Sequence, residues 1–189
     1  MPDRGRPHGR GSGHLIHRPL ATAPDPDDAS PDHCWLMRRD LTAAIPLAPW
    51  PPGVTCVSLT PRHSLQAHSL LTQSHLLEDG QWLHHPDWLD AFEHNPEFDR
   101  SRCFVAIDSD RVVGVITCWT SAFIKDLAVY PDYRNKGIGA ALLHHLFVHL
   151  KRCGEAAVDL KVMENNQVAR RLYEKSDLSY VARLAVMRN

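Results

Sequence analysis

The sequence lacks long apolar runs, and none approaches the ~18 residues of a membrane-spanning helix. It also lacks an excess of either charge. Lys and Arg number 21 against 22 Asp and Glu, a formal net charge of −1. Nothing in the whole-chain charge therefore draws it to nucleic acid or to a membrane surface. Cysteine is scarce: five residues, at 34, 56, 103, 118 and 153, with no CxxC pair. That spacing argues against a zinc knuckle or a disulfide framework. The thiols read as reduced and mostly buried, which sets the expectation of a cytoplasmic protein. Histidine is plentiful at 13 residues, but no HExxH motif occurs, and His84-His85 and His144-His145 are adjacent pairs whose neighbours point apart. No metal site is expected. No segment repeats.

What remains is an ordinary globular composition, 43% apolar and 23% charged over 189 residues. Residues 1–33 are rich in Pro, Gly, Arg, His and Asp and read as a disordered tail. They hold no apolar core of a signal peptide. A basic arm over residues 4–18 would be the only route to nucleic acid, and it is disfavoured. Residues 34–52, ending in PWPPG, read as an extended linker, with Met37 as an alternative start. The folded domain is assigned to residues 53–189.

Within it, VTCVSL (54–59) alternates as a strand does. A helix opens at Pro61, and HPDWLDAFEHNPEFD holds a second, shorter one broken near Pro96. RCFVAID and RVVGVITCWT flank Ser109-Asp110 as a hairpin, and SAFIKDLAVY continues as a strand. Residues 136–153 read as a long helix closed by Gly154. AVDLKV is a strand, NQVARRLYEKS a short helix capped by Asn165 or Asn166, and LSYVARLAVM a last strand. The expected order is β-α-α-β-β-β-α-β-α-β.

One stretch carries chemistry. DLAVYPDYRNKGIGAALLHHL (126–146) runs from a strand through a proline to two glycines at the mouth of a helix. A helix N-terminus has unpartnered N–H groups and a partial positive charge, which suit a phosphate or pyrophosphate. Gly137 and Gly139 clear side chains from those amides, and Arg134 and Lys136 add charge. A tight turn or a close helix contact is the plain alternative. The spacing is not GxGxxG, because Leu142 stands at the third glycine, and it is not a P-loop.

RNKGIG (134–139) fits the [RQ]xxGxG signature of the GNAT superfamily of N-acetyltransferases, and the chain resembles that family. Downstream, Asn166, Ala169, Leu172, Tyr173, Glu174 and Lys175 fall in register with its second motif, NxxAxxLYEK. The resemblance covers roughly residues 53–188. It implies an α/β fold of three layers: a mixed central sheet with one splayed pair of parallel strands, and helices on both faces. It implies acetyl-CoA as cosubstrate, bound where Leu127–Val129 and Val158–Val162 diverge. By similarity, the backbone of Leu127, Ala128 and Val129 pairs with the pantetheine arm. The amides of Asn135, Lys136, Gly137, Ile138, Gly139 and Ala140 hold the pyrophosphate, with Arg134 shaping the loop, and Asn166 touches the arm or caps its helix.

Tyr173 matches the family's general acid for the departing thiolate. The base is less defined: Asp126, Asp159 or a water relay. Where one related subfamily has a basic glutamate, this chain has Lys161, and where glycine is common after the second motif it has Asp177. The acceptor wall is expected in residues 63–98, among Trp82, His84, His85, Trp88 and Phe92, and at Trp119 and Phe123. Trp88 and Phe92, spaced i, i+4, equally suit a buried helix face. Glu78, Asp79, Asp87, Asp90 and Glu93 would attract a cation but better suit a solvated face. The implied reaction is direct transfer of acetyl to a primary amine on a small molecule, peptide or protein, with no cysteine acyl-enzyme. The alternative is a non-catalytic acyl-CoA-binding module or sensor. A homodimer is left open.

Overall fold

Strand β4 (Arg111–Cys118) sets the centre of the structure, because every residue after Arg111 is buried. Only a strand covered on both faces buries such an unbroken apolar run. The structure is a computed structural model that describes residues 32–75 and 84–186. The tail expected over residues 1–33 lies outside the described residues as far as residue 31, as do Glu78, Asp79 and Trp82, while His33 belongs to a strand.

β3 (Phe104–Asp108) joins β4 through Ser109 and Asp110, with φ of 48° and 69°. Positive φ at both central residues matches the right-handed strand twist in a two-residue hairpin. β2 (Val54–Ser58) pairs with the outer edge of β3, and β5 (Phe123–Val129) with β4, all antiparallel. α1 (Pro61–His75) and α2 (His85–Glu93) cover one face. There Ala67, Leu70, Leu71 and Trp88 pack on Val105, Val115 and Ala128. Trp88 is thus core, and Phe92 stacks on it at 4.9 Å between ring centroids, so the i, i+4 pair is a packing face.

α3 (Ile138–Arg152) and α4 (Gln167–Lys175) cover the other face. Leu142, Leu146, Phe147 and Leu150 of α3 and Tyr173 of α4 share one cluster with Phe104, Ile116 and Leu160. Gly114 brings α3 down onto the sheet, since a Cβ there would stand 2.9 Å from Leu142 and 3.0 Å from Ile138. The layers are therefore helix, sheet, helix, as the resemblance implies.

The second half of the sheet corrects one expectation. β6 (Ala157–Met163) and β7 (Ser179–Ala185) do not pair with each other. β1 (His33–Asp40) lies between them, antiparallel to both, giving the order β2-β3-β4-β5-β6-β1-β7. Residues 34–40 are thus a sheet strand and not linker, the sheet takes in residues well before 53, and among the described residues the strands number seven, not six. Met37 sits mid-strand and fully buried.

Local pattern hides this strand because its inward row is Trp35, Met37 and Arg39, and a cation breaks the apolar alternation. Arg39 is 2% exposed. Its guanidinium donates to Ser176 O and Asp177 Oδ2 at 2.8 Å and to Ala44 O at 3.2 Å, and lies over the Phe147 ring. The same contacts explain Asp177. Its φ is +59°, the left-handed turn that glycine usually supplies, and Asp tolerates it while its carboxylate holds Arg39. Residues 41–52 connect β1 to β2 along α3: Lys151 donates to Thr42 O and Ala43 O, and His144 meets Pro46 O.

Candidate functional site

Among the described residues β5 and β6 are the one parallel pair, and the register runs only through Phe123↔Asp159 and Ile124↔Leu160. Beyond Ile124 the strands part, while β5 stays laddered to β4 as far as Val129. The β6-facing backbone edge of β5 over Leu127, Ala128 and Val129 is therefore left without a strand, an edge open to main-chain pairing.

β5 points at the N-terminus of α3. A short 3-10 turn over Pro131–Tyr133 follows it, and Arg134 folds back so that its Nε donates to Val129 O at 3.2 Å. Asn135 and Gly137 have φ of 60° and 88°. These turns set Gly137 as the N-cap of α3 with no side chain over the first amides. A Cβ on Gly137 would meet nothing within 4 Å, so open space lies in front of the helix. Lys136 stands over the Tyr133 ring at 4.8 Å, and Arg134 and Lys136 are both exposed. An uncapped fifteen-residue helix, a cleared approach and two cations fit an anion of pyrophosphate size.

The two glycines differ in purpose. Gly137 needs its positive φ. Gly139 has an ordinary φ, and a Cβ there would lie 3.1 Å from Leu172 Cδ2. Its smallness thus serves the approach of α4 to α3, and its backbone N–H remains among the first of the helix. Ile138 is buried under that turn and Ala140 is half-buried. α4 is fixed in turn. Asn166 caps it, its Oδ1 accepting from Ala169 N at 3.1 Å. Arg170, 6% exposed, donates to Glu164 O and to Tyr180 Oη at 2.9 Å. Glu164, fully buried, takes both guanidinium nitrogens of Arg183.

Tyr173, 8% exposed on α4, packs in the α3-side core. Asp126 lies on the other face of β5, in line with Ala128, which packs on the α1 side. It is 7% exposed, and its Oδ2 accepts from Thr117 Oγ1 at 2.7 Å across the ladder. The two residues thus lie on opposite faces of the sheet. Asp159 is less suited to proton transfer, because Arg38 holds both its oxygens at 2.6 Å.

Where the paired part of β5 and β6 ends opens a groove of about 600 Å³, lined in part by Ile124 and Lys125. Trp119 and Phe123 form an aromatic wall, with ring centroids 5.8 Å apart, and Glu97, Lys125 and Lys161 complete it. Lys125, Glu97 and Ser121 escaped the sequence reading. Only Lys125, next to Asp126, had a signal. His84 and His85 do not line this groove.

The cysteines are free thiols. Burial pushes those of Cys56, Cys103 and Cys118 up to about 12, so at neutral pH they are protonated and poor nucleophiles. His145 and His149 stand one turn apart on α3, but both rings pack edge-on against Phe104. Among the described residues no three His, Cys, Asp or Glu side chains gather as a metal site, and no helix is long and apolar enough to cross a membrane.

Comparison with known proteins adds four findings. The profile of the acetyltransferase (GNAT) family matches residues 66–177. The mycothiol acetyltransferase of Geodermatophilus obscurus is 33% identical over 111 residues, 52% of this chain and 35% of that protein. The ribosomal protein bS18-alanine N-acetyltransferase of Haemophilus influenzae is 32% identical over 103 residues, 53% of this chain and 70% of that one. Among solved structures, a GCN5-related N-acetyltransferase from Sphaerobacter thermophilus superposes with a TM-score of 0.66 at 25% identity. That match covers 82% of this chain and 50% of the other. The chain therefore spans 35% of the length of the first of these relatives and 50% of the solved one.

Proposed function

This chain belongs to the acetyltransferase (GNAT) family, and we propose that it moves an acetyl group from acetyl-CoA to a primary amine by direct transfer. The observation that carries the proposal is the fork between β5 and β6 opening onto the uncapped N-terminus of α3. In this reading the backbone of Leu127, Ala128 and Val129 pairs with the pantetheine arm. The amides of Asn135, Lys136, Gly137, Ile138, Gly139 and Ala140 hold the pyrophosphate, with charge from Arg134 and Lys136. Asn166, already the cap of α4, borders the arm. Acetyl-CoA supplies an acyl group already activated as a thioester.

The chain's residues manage protons and position. An alkyl ammonium has a pKa near ~10.4, so the acceptor arrives protonated and must lose a proton to attack. Asp126 takes that proton directly or through water. Tyr173 offers its Oη proton to the departing sulfur. The buried, protonated thiols favour direct transfer over an acyl-cysteine route. Free thiols also suit a reducing compartment, and we place the protein in the cytoplasm.

The test is release of CoA thiol from acetyl-CoA with a panel of amines: amino sugars, amino acids, peptide N-termini and polyamines. Thiol release that requires both enzyme and amine, matched by acetylated amine, is the expected result. Release that no amine accelerates would contradict the proposal.

A further inference from the structure

The loop at the mouth of α3 is held by a distant part of the chain. Asp108 ends β3 and Arg111 begins β4, and the two pair across the turn between them. Each reaches a tyrosine of the segment that joins β5 to α3. Tyr133 Oη donates to Asp108 Oδ2 at 2.8 Å. The Arg111 guanidinium lies over the Tyr130 ring, 4.1 Å from its centre. Ser109 Oγ donates to the other oxygen of Asp108 at 3.1 Å, so both oxygens of this carboxylate are engaged. The bond to Asp108 raises the Tyr133 phenol above its ordinary pKa, and it stays a donor at neutral pH. The Tyr133 ring in turn carries the Lys136 ammonium, 4.8 Å from its centre. Lys136 directly precedes Gly137, the N-cap of α3. Asp108, Tyr133 and Lys136 thus form a chain from the hairpin to the helix mouth.

We propose that Tyr133, anchored by Asp108, is a positioning residue for the cofactor: it fixes the loop that presents the first α3 amides and Lys136 to the pyrophosphate. The loop needs such an anchor. Asn135 and Gly137 both have positive φ, and a non-glycine residue keeps that conformation only where its surroundings hold it. The backbone bonds of the 3-10 turn, Tyr133 N to Tyr130 O at 2.9 Å and Arg134 N to Pro131 O at 3.1 Å, close before Asn135. Arg134 Nε bonds Val129 O, within the same segment. The Tyr133 side chain ties that segment to the β3–β4 hairpin. A loop ordered beforehand receives an anion without the entropy cost of ordering on binding. The inference rests on the reading of the α3 mouth as the pyrophosphate site of acetyl-CoA.

The test is calorimetric titration with acetyl-CoA of the parent, Tyr133→Phe, Asp108→Ala and the double variant, with amide hydrogen exchange of each ligand-free protein. Phe keeps the ring beside Lys136 and removes only the hydroxyl. Tyr133→Phe is expected to weaken acetyl-CoA binding about fivefold, the scale of one hydrogen bond. In the Asp108→Ala background the same substitution should change affinity less than about twofold, because the partner is already gone. Asp108→Ala alone also removes a negative charge near the loop, so the comparison within that background is the measure. Amide exchange in Tyr133→Phe should quicken at residues 134–137 and keep the parent rate in β1, β6 and β7. Unchanged affinity in Tyr133→Phe, an equal loss in both backgrounds, or a loss without faster exchange at residues 134–137 would overturn the inference. So would exchange that quickens across the whole sheet, the mark of a merely structural role. The failure of the two readings is distinct. A parent that binds no acetyl-CoA refutes the cofactor reading and this inference with it. A parent that binds, with Tyr133→Phe binding equally well, refutes this inference alone.

Discussion

Tyr173→Phe is expected to lower kcat by about 10²-fold or more while the acetyl-CoA dissociation constant stays close to that of the parent. The substitution removes one hydroxyl and keeps the ring that packs α4 against α3 and the sheet. The leaving thiolate then has to depart without a proton from Oη. The loss should be smallest at low pH, where solvent supplies protons more readily, so the pH profile separates lost acid catalysis from lost packing. A kcat within about twofold of the parent would remove Tyr173 from the chemistry and leave it as a core residue.

Gly137→Asp is expected to weaken acetyl-CoA binding by about 100-fold, since a carboxylate would stand where the pyrophosphate charge is to lie. Gly137→Asn is the control. Asn and Asp share tolerance of the left-handed backbone that φ of +88° demands, and they differ in charge. The open space around this Cβ position leaves either side chain room, so both variants should fold. Fluorescence or calorimetric titration with acetyl-CoA reads the difference. Equal affinities for the Asp and Asn variants would move the anion away from this turn. Gly139 is a poorer probe, because a side chain there first meets Leu172, and lost packing would be confused with lost binding.

These two positions also show what was legible in the sequence. The glycine loop, its two cations and the strand before it lie within twenty-one consecutive residues, so their chemistry follows from local spacing. Helix α4, with its cap and Tyr173, is similarly local. Among the described residues, the four α-helices and six of the seven strands could be read from periodicity and turn residues. β1 could not. It joins a sheet whose partner strands begin more than a hundred residues later, and its inward row contains Arg39, whose charge is met by Asp177, distant in sequence. The groove at the end of the β5–β6 ladder was hidden for the same reason. Lys125 and Lys161 line one groove because β5 and β6 pair, and Asp159 is held by Arg38 from β1. Local chemistry is written in the sequence, whereas whatever depends on strand order is not.

The central claim is that acetyl-CoA occupies the β5–β6 fork with its pyrophosphate on α3. Thermal unfolding with and without ligand tests it most directly, with acetyl-CoA, CoA and ATP compared at equal concentration. A ligand at about 100 times its Kd adds about 2.7 kcal/mol, a rise of roughly 5–10 °C in Tm for a domain of this size. The account predicts that rise with acetyl-CoA and CoA, little with ATP, and its loss in Gly137→Asp. No rise with acetyl-CoA, or an equal rise with ATP, would contradict it.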